Sequence, residues 1–183
     1  TAITNLNLKT TQNLNSLIAS NSAIKELDLI ENRLITTLDV SNTPKLTSVT
    51  IDDNFYLTSI NLNNATALKY FSAKNSYLFT LDLSTNTSLT SLELDGNSNI
   101  KTLNLSKNVA LNRLSIVNTN FRTLNVSNTA LAEKDLNVQT STSIRDLNLS
   151  NTRISSIDLK SNRDLKILNS NNSSIESLDL SKN

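Results

Sequence analysis

The chain has 183 residues, with no cysteine and no histidine. That excludes a disulfide framework, a Cys/His zinc site, a cysteine nucleophile and histidine acid–base chemistry. Seventeen basic residues against sixteen acidic ones leave a net charge of +1, so the overall balance gives no pull toward nucleic acid or an anionic membrane. No apolar run approaches the length of a membrane span, and no cofactor is expected.

Asn, Ser, Thr and Leu dominate, while glycine and proline occur once each. Such a composition alone suits disorder, but the leucines keep a fixed spacing. Units of the form apolar-x-apolar begin at Leu6, Leu17, Leu27, Leu38, Val49, Ile60, Phe71, Leu81, Leu92, Leu103, Leu114, Leu124, Leu136, Leu147, Ile157, Leu168 and Leu178. Every interval is ten or eleven residues, except the twelve between Leu124 and Leu136. A sustained period of this kind defines a repeat array. Alternation over three residues turns two side chains inward and one outward, and predicts a short strand in each unit. Helix is not expected, because Asn, Ser and Thr fill the links. The best helical stretch, Ala130 to Asp135, has room for about one turn.

A single unit is too tight a coil to enclose leucine side chains. Consecutive units therefore pair into about eight coils of 21–23 residues, with short strands on opposite walls. At about 4.8 Å per rung the stack is roughly 40 Å long. No coil buries its apolar residues alone, so stability comes from stacking. The chain starts at Thr1 in mid-pattern, without initiator Met or signal peptide. The expectation is one array over residues 1–183, part of a longer protein whose flanking sequence continues or caps it.

Asparagine follows the strands at one of two places. Asn32, Asn54, Asn86, Asn97, Asn108, Asn162 and Asn183 come five residues after the first apolar position. Asn21, Asn42, Asn75, Asn118, Asn128, Asn151 and Asn172 come one earlier, followed by Ser or Thr. A turn inside a stacked coil buries backbone N–H and C=O groups that have no strand partner. A short amide side chain satisfies them and tolerates turn dihedrals. These residues are read as structural, with Asn32, Asn54, Asn86, Asn97, Asn108 and Asn162 forming an asparagine ladder.

The pattern Leu-x-x-Leu-x-Leu-x-x-Asn-x-Leu is similar to the leucine-rich repeat signature. The alternation of LDLSxNTxL with LxLxxN, seen in Leu81 to Leu94, resembles the short bacterial type of internalin-like and Bacteroidetes surface adhesins. That resemblance covers the whole chain. It implies a β-rich, curved, right-handed leucine-rich-repeat solenoid with a parallel sheet on the concave side, extended segments on the convex side and almost no helix. It also implies a role in adhesion. Some such proteins carry Cys at the central strand position, where this chain has Ile51, Ala73 and Ile116.

The outward residues of the two walls differ. One wall reads Thr37-Asp39-Ser41, Thr80-Asp82-Ser84, Thr102-Asn104-Ser106 and Thr123-Asn125-Ser127, nearly one line repeated. The other reads Glu26-Asp28-Ile30, Ser48-Thr50-Asp52, Tyr70-Ser72-Lys74, Ser91-Glu93-Asp95, Arg113-Ser115-Val117 and Asp135-Asn137-Gln139. The monotonous wall predicts Asn, Asp and Thr bonding along the stack. The varied wall is free to suit a partner and is expected to be the concave, ligand-facing side. Tyr70, Lys74, Asp52, Glu93 and Arg113, with Tyr56 and Tyr77 from adjacent loops, form the candidate binding patch, since exposed Tyr is a common interface anchor. Phe71 and Phe121 read as core, and Phe79 as partly buried.

Other chemistries fit poorly. Asp52, Asp53 and Asp95 lack the loop spacing of a calcium site, and a flat wall offers no cleft for paired glycosidase carboxylates. Asn-x-Ser/Thr sequons at Asn64, Asn86, Asn104, Asn125, Asn148, Asn171 and Asn172 are expected by chance in so Asn-rich a chain. The sequence thus points to a non-catalytic module of a secreted or cell-surface, adhesin-like protein, binding a protein or a glycan. A rigid spacer presenting another domain is the alternative.

Overall fold

The structure, a computed structural model, describes residues 3–4, 6–9, 11, 13–132 and 134–183. Each apolar-x-apolar unit puts two side chains inside the coil, and those of successive coils stack directly on one another. Leu27, Val49, Phe71 and Leu92 are in register on one wall, and Leu103, Leu124, Leu147 and Leu168 on the other. The single link apolars Ile35, Leu57, Leu78, Ile100 and Phe121 close the core between the walls. All but Leu168 of these are at most 2 % exposed, so the interior is dry and continuous along the spiral.

The varied wall is one parallel sheet of six strands: β1 (Leu6–Asn7), β3 (Glu26–Asp28), β5 (Ser48–Thr50), β7 (Tyr70–Ser72), β8 (Ser91–Glu93) and β10 (Arg113–Ser115). The monotonous wall is two sheets. β2 (Ser16–Ile18), β4 (Thr37–Asp39) and β6 (Ile60–Asn61) make the first. β9 (Thr102–Asn104), β11 (Thr123–Asn125), β12 (Asp146–Asn148) and β13 (Ile167–Asn169) make the second. The two walls are thus separate sheets, as the alternation of units requires. The result is a β-solenoid of about seven turns, against the eight expected.

Two places depart from the regular repeat. Thr80-Leu81-Asp82 forms no strand and separates the two sheets of the monotonous wall, although Thr37-Leu38-Asp39 is the same tripeptide and pairs on both sides. Local propensity is therefore not the cause. The preceding link is what differs, with Phe79 where other coils carry Thr36, Thr58, Lys101 or Arg122. On the varied wall, pairing stops after β10, and the units at Leu136, Ile157 and Leu178 continue without strands. Ala130–Asp135 forms no helix among its described residues. Ala132 instead bridges to Arg153, and its N–H donates to the Asp135 carboxylate at 2.7 Å; Glu133 lies outside the described residues.

The two asparagine positions do different work. The earlier one is in the left-handed region: Asn21, Asn42, Asn64, Asn75, Asn118, Asn128, Asn151 and Asn172 have φ between 50° and 60°. Asparagine tolerates that region better than other non-glycine residues. Glu31 and Asp53 take the same backbone shape, and Gly96 takes it at 75°. A Cβ on Gly96 would meet the Asn75 amide, so this one glycine answers both a positive φ and a close approach.

The later position is buried and donates to turn carbonyls. Asn97 Nδ2 donates to Ala73 O at 2.6 Å and Leu94 O at 2.9 Å. Asn54, Asn86, Asn108 and Asn162 bond likewise, reaching one coil back each time. Asn32 makes a longer bond, to Ile30 O at 3.4 Å. The buried Oδ1 atoms of Asn54, Asn86, Asn97, Asn108 and Asn162 have no protein partner. The donor half of the amide is what the position uses, which is why a lone hydroxyl can replace it. Thr43, Thr119, Thr129 and Thr152 each donate to the carbonyl three residues back, at 2.6–2.8 Å. Side-chain-to-side-chain ladders occur instead at the left-handed corner, from Asn64 to Asn42 and from Asn172 through Asn151 to Asn128.

Three substitutions separate these roles by denaturant or thermal unfolding. Leu92→Ala should cost about 2–5 kcal/mol through the cavity it leaves, and Asn97→Ala about 1–3 kcal/mol by orphaning the Ala73 carbonyl. Asn118→Gly, at an exposed left-handed corner, should stay within about 0.5 kcal/mol of the parent.

Candidate functional site: the middle of the varied wall

On the monotonous wall every coil from Asp39 to Asn169 holds its middle outward residue in the same way. The side-chain Oδ1 accepts the N–H two residues on, as in Asp39–Ser41, Asp82–Ser84, Asn125–Ser127 and Asn169–Asn171, at 2.9–3.1 Å. The recurrent contact is therefore a bond within each coil, and the expected bonding along the stack is added to it in places, from Asn61 to Asp39 and from Thr123 to Asp146. An Asp or Asn there closes a local turn at the strand's end.

The varied wall keeps that bond at Asp28, Asn137, Asp158 and Asp179 and drops it in the four coils between. Thr50, Ser72, Glu93 and Ser115 occupy the position instead. In two of these coils the N–H is bonded from the coil before. Asp52 Oδ1 accepts from Lys74 N at 2.8 Å and Ser72 Oγ at 2.6 Å. Asp95 Oδ1 accepts from Val117 N at 2.7 Å and Ser115 Oγ at 2.6 Å. Both aspartates are thus committed to the fold. Among the described residues no three acidic side chains cluster as a metal site.

Five of the seven residues singled out from the sequence meet here. Lys74 Nζ lies 2.8 Å from Glu93 Oε2 and 3.5 Å from Asp52 Oδ2, and Arg113 Nη2 lies 3.5 Å from Glu93 Oε1. Tyr70 donates its hydroxyl to Glu93 Oε2 at 3.3 Å. The Lys74 hydrogen bond holds the Glu93 carboxyl below its ordinary value, and Glu93 in turn holds the Lys74 ammonium well above its own. Burial raises the Tyr70 phenol. The Glu93 and Asp52 side chains are 13 % exposed and Arg113 71 %, so the guanidinium is the group this network offers to a partner.

Tyr56 and Tyr77 stand apart from that network, on the links leaving β5 and β7, 60 % and 52 % exposed. They share this edge with Leu34, Phe55 and Phe79, and the Arg33 guanidinium sits 5.8 Å from the Phe55 ring centre. Phe79 is 55 % exposed, not partly buried as expected. Tyr56 and Tyr77 directly precede the inward Leu57 and Leu78, and Phe79 follows Leu78, so alternation turns all three outward. That signal was present in the spacing, and applying it to the links would have found the edge.

Buried leucine rungs, two-walled coils and donor residues at each turn make the class of protein a leucine-rich-repeat solenoid. No family model and no curated protein matches the sequence. Among solved structures it is similar to the functional domain of InlJ from Listeria monocytogenes, which includes a cysteine ladder, at 23 % identity and a TM-score of 0.35 over the whole chain. It is also similar to TLR13 in its complex with ssRNA13, at 16 % identity and 0.45 over 87 % of the chain. The internalin InlF from Listeria monocytogenes gives 18 % and 0.29 over 97 %. The chain spans 49 % of the InlJ structure, 23 % of TLR13 and 67 % of InlF.

The network sets an expected pH response. Because the Glu93 carboxyl is depressed, its pairing contributes stability above the ordinary value of 4.5 and loses it as the pH falls through the lower folded value. Lys74 is raised, so its contribution holds below 10.5 and is lost only at more alkaline pH. Melting temperatures measured against pH should therefore fall on the acid side, and Glu93→Gln should weaken that fall while costing about 1 kcal/mol at neutral pH.

Proposed function

We propose that this chain is a non-catalytic recognition module that binds a protein or a glycan through the middle of the varied wall and its aromatic edge. In this reading it belongs to a secreted or cell-surface, adhesin-like protein, as one array with flanking repeats or caps. Arg113 supplies a charged contact, Tyr56 and Tyr77 supply rings, and Glu93, Lys74, Asp52 and Tyr70 hold the charged surface in shape.

The observation that carries the reading is the exchange of hydrogen bonding between coils. Where Asp52 and Asp95 take over the N–H groups of Lys74 and Val117, the middle outward position no longer has to be Asp or Asn. In those coils the middle residues are Ser72 and Ser115, which bond the same aspartates, and on the coil between them Glu93 draws Lys74 and Arg113 into an ion-pair network. Beside it, exposed apolar groups gather on adjacent coils, and a patch of large exposed rings is the usual mark of an interaction site.

The test uses exposed groups, so that folding is untouched. A Tyr56→Ser/Tyr77→Ser/Arg113→Ser variant should keep the parent melting temperature and lose at least about tenfold in affinity, as expected for removed interface anchors. The readout is binding to a glycan array and to cell-surface protein extracts. Binding unchanged from the parent in both formats would reject the recognition reading and leave the rigid spacer.

A further inference from the structure

The second sheet of the monotonous wall carries a column of cations that the even net charge conceals. Lys101, Arg122, Arg145 and Lys166 each stand two residues before the inward leucine of β9, β11, β12 and β13. The backbone N–H of each donates to the carbonyl of the one before, Arg122 to Lys101 at 2.7 Å, Arg145 to Arg122 at 2.8 Å and Lys166 to Arg145 at 2.8 Å. They therefore occupy successive rungs, about 4.8 Å apart, and all four are exposed. The equivalent residues earlier on this wall, Thr36, Thr58 and Phe79, carry no charge.

Among the described residues no ion pair within 4 Å engages the column. The ion pairs among the described residues all lie on the varied wall or its turns, and none includes these four. Lys101 Nζ donates to the Ser98 carbonyl at 2.6 Å. Asp146 and Asp164 are the acids beside the column, and Asp146 accepts a bond from Thr123 Oγ1 at 3.3 Å. The middle row also changes character here, from Asp39, Asn61 and Asp82 to Asn104, Asn125, Asn148 and Asn169. Their Oδ1 atoms are tied to backbone N–H groups at 3.0–3.1 Å, which leaves the Nδ2 donors free. The sheet thus presents a row of cations beside a row of amide donors, both with the period of one rung.

We propose that this sheet binds a linear anionic polysaccharide lying along the stack. An extended pyranose chain advances by about one rung per sugar, so an acidic group on repeating sugars meets the cation column while hydroxyls meet the Asn amides. A linear polyanion holds condensed counterions and releases them as a row of cations neutralises its charges. A single-stranded nucleic acid would find the same charges but no ring to stack its bases. The exposed aromatics, Phe55, Tyr56, Tyr77 and Phe79, all lie in the other half of the chain.

The surface is distinct from the varied wall, so its test stands or falls separately. Binding of the chain to polygalacturonate, heparin, neutral dextran and poly(U) would be measured at low and raised NaCl. Binding to at least one of the two acidic polysaccharides is expected, with affinity falling about tenfold or more as salt rises; which one binds separates carboxylate from sulfate. Arg122→Gln/Arg145→Gln should lose about tenfold or more of that affinity at an unchanged melting temperature, while Lys45→Gln, at an exposed link in the other half of the chain, should lose none. No binding to either acidic polymer at low salt, equal binding of dextran, equal binding by the double variant, or tighter binding of poly(U) would overturn the proposal.

Discussion

Every coil buries a carbonyl that the strand ladders do not reach, that of the second inward apolar residue, and the rest of the design answers to it. An unpaired carbonyl in a dry interior costs about 1–3 kcal/mol, and a solenoid meets that cost at every turn. The chain answers with side-chain donors, the amide of a buried Asn such as Asn97 or the hydroxyl of a Thr such as Thr119, joined in some coils by a turn N–H or by a donor from the next coil, as at Leu94 and Ile116. The pairing rule follows. Where the donor is a hydroxyl, the residue before it is usually a left-handed Asn. Where the donor is Asn, that residue varies, as in Glu31, Asp53, Gly96 and Lys107.

The same economy of donors and acceptors governs the walls. An outward Asp or Asn that bonds its own coil's N–H is fixed in identity, so a wall built that way reads as one line repeated. When an aspartate of the preceding coil supplies the acceptor, the constraint moves one position and the middle residue is released. At the centre of the varied wall this happens at Ser72 and Ser115, and on the coil between them Glu93 gathers Lys74, Arg113 and Tyr70. Variation in the sequence is thus the outward sign of a local change in who satisfies the backbone.

The two walls present opposite electrostatic surfaces. On the varied wall, charges are paired across coils and partly buried, which gives shape and leaves one exposed guanidinium. On the second sheet of the other wall, cations stand on consecutive rungs with no ion pair among the described residues. A net charge near zero is compatible with both, because the total carries no information about arrangement. A repeat of fixed rung height turns any recurrent side chain into a row, and rows are what a linear polymer reads.

The periodic leucines alone determined the solenoid, the two walls, the burial of Phe71 and Phe121 and the structural role of asparagine, because each coil can hide its apolar residues only by stacking on the next. The contrast between the walls was legible too, since outward positions follow from alternation. Its cause was not: a middle Asp bonds within its own coil, while Asp52 and Asp95 bond one coil onward, about twenty residues away, and spacing along a chain does not say which coil a carboxylate faces. The loss of strand at Thr80–Asp82, against the same tripeptide pairing at Thr37–Asp39, and the meeting of Tyr70, Lys74, Glu93 and Arg113 were decided by tertiary structure for the same reason. Hydrogen-bond partners and ion pairs in a solenoid lie between rungs, and only the stacked chain sets which residues share a rung boundary.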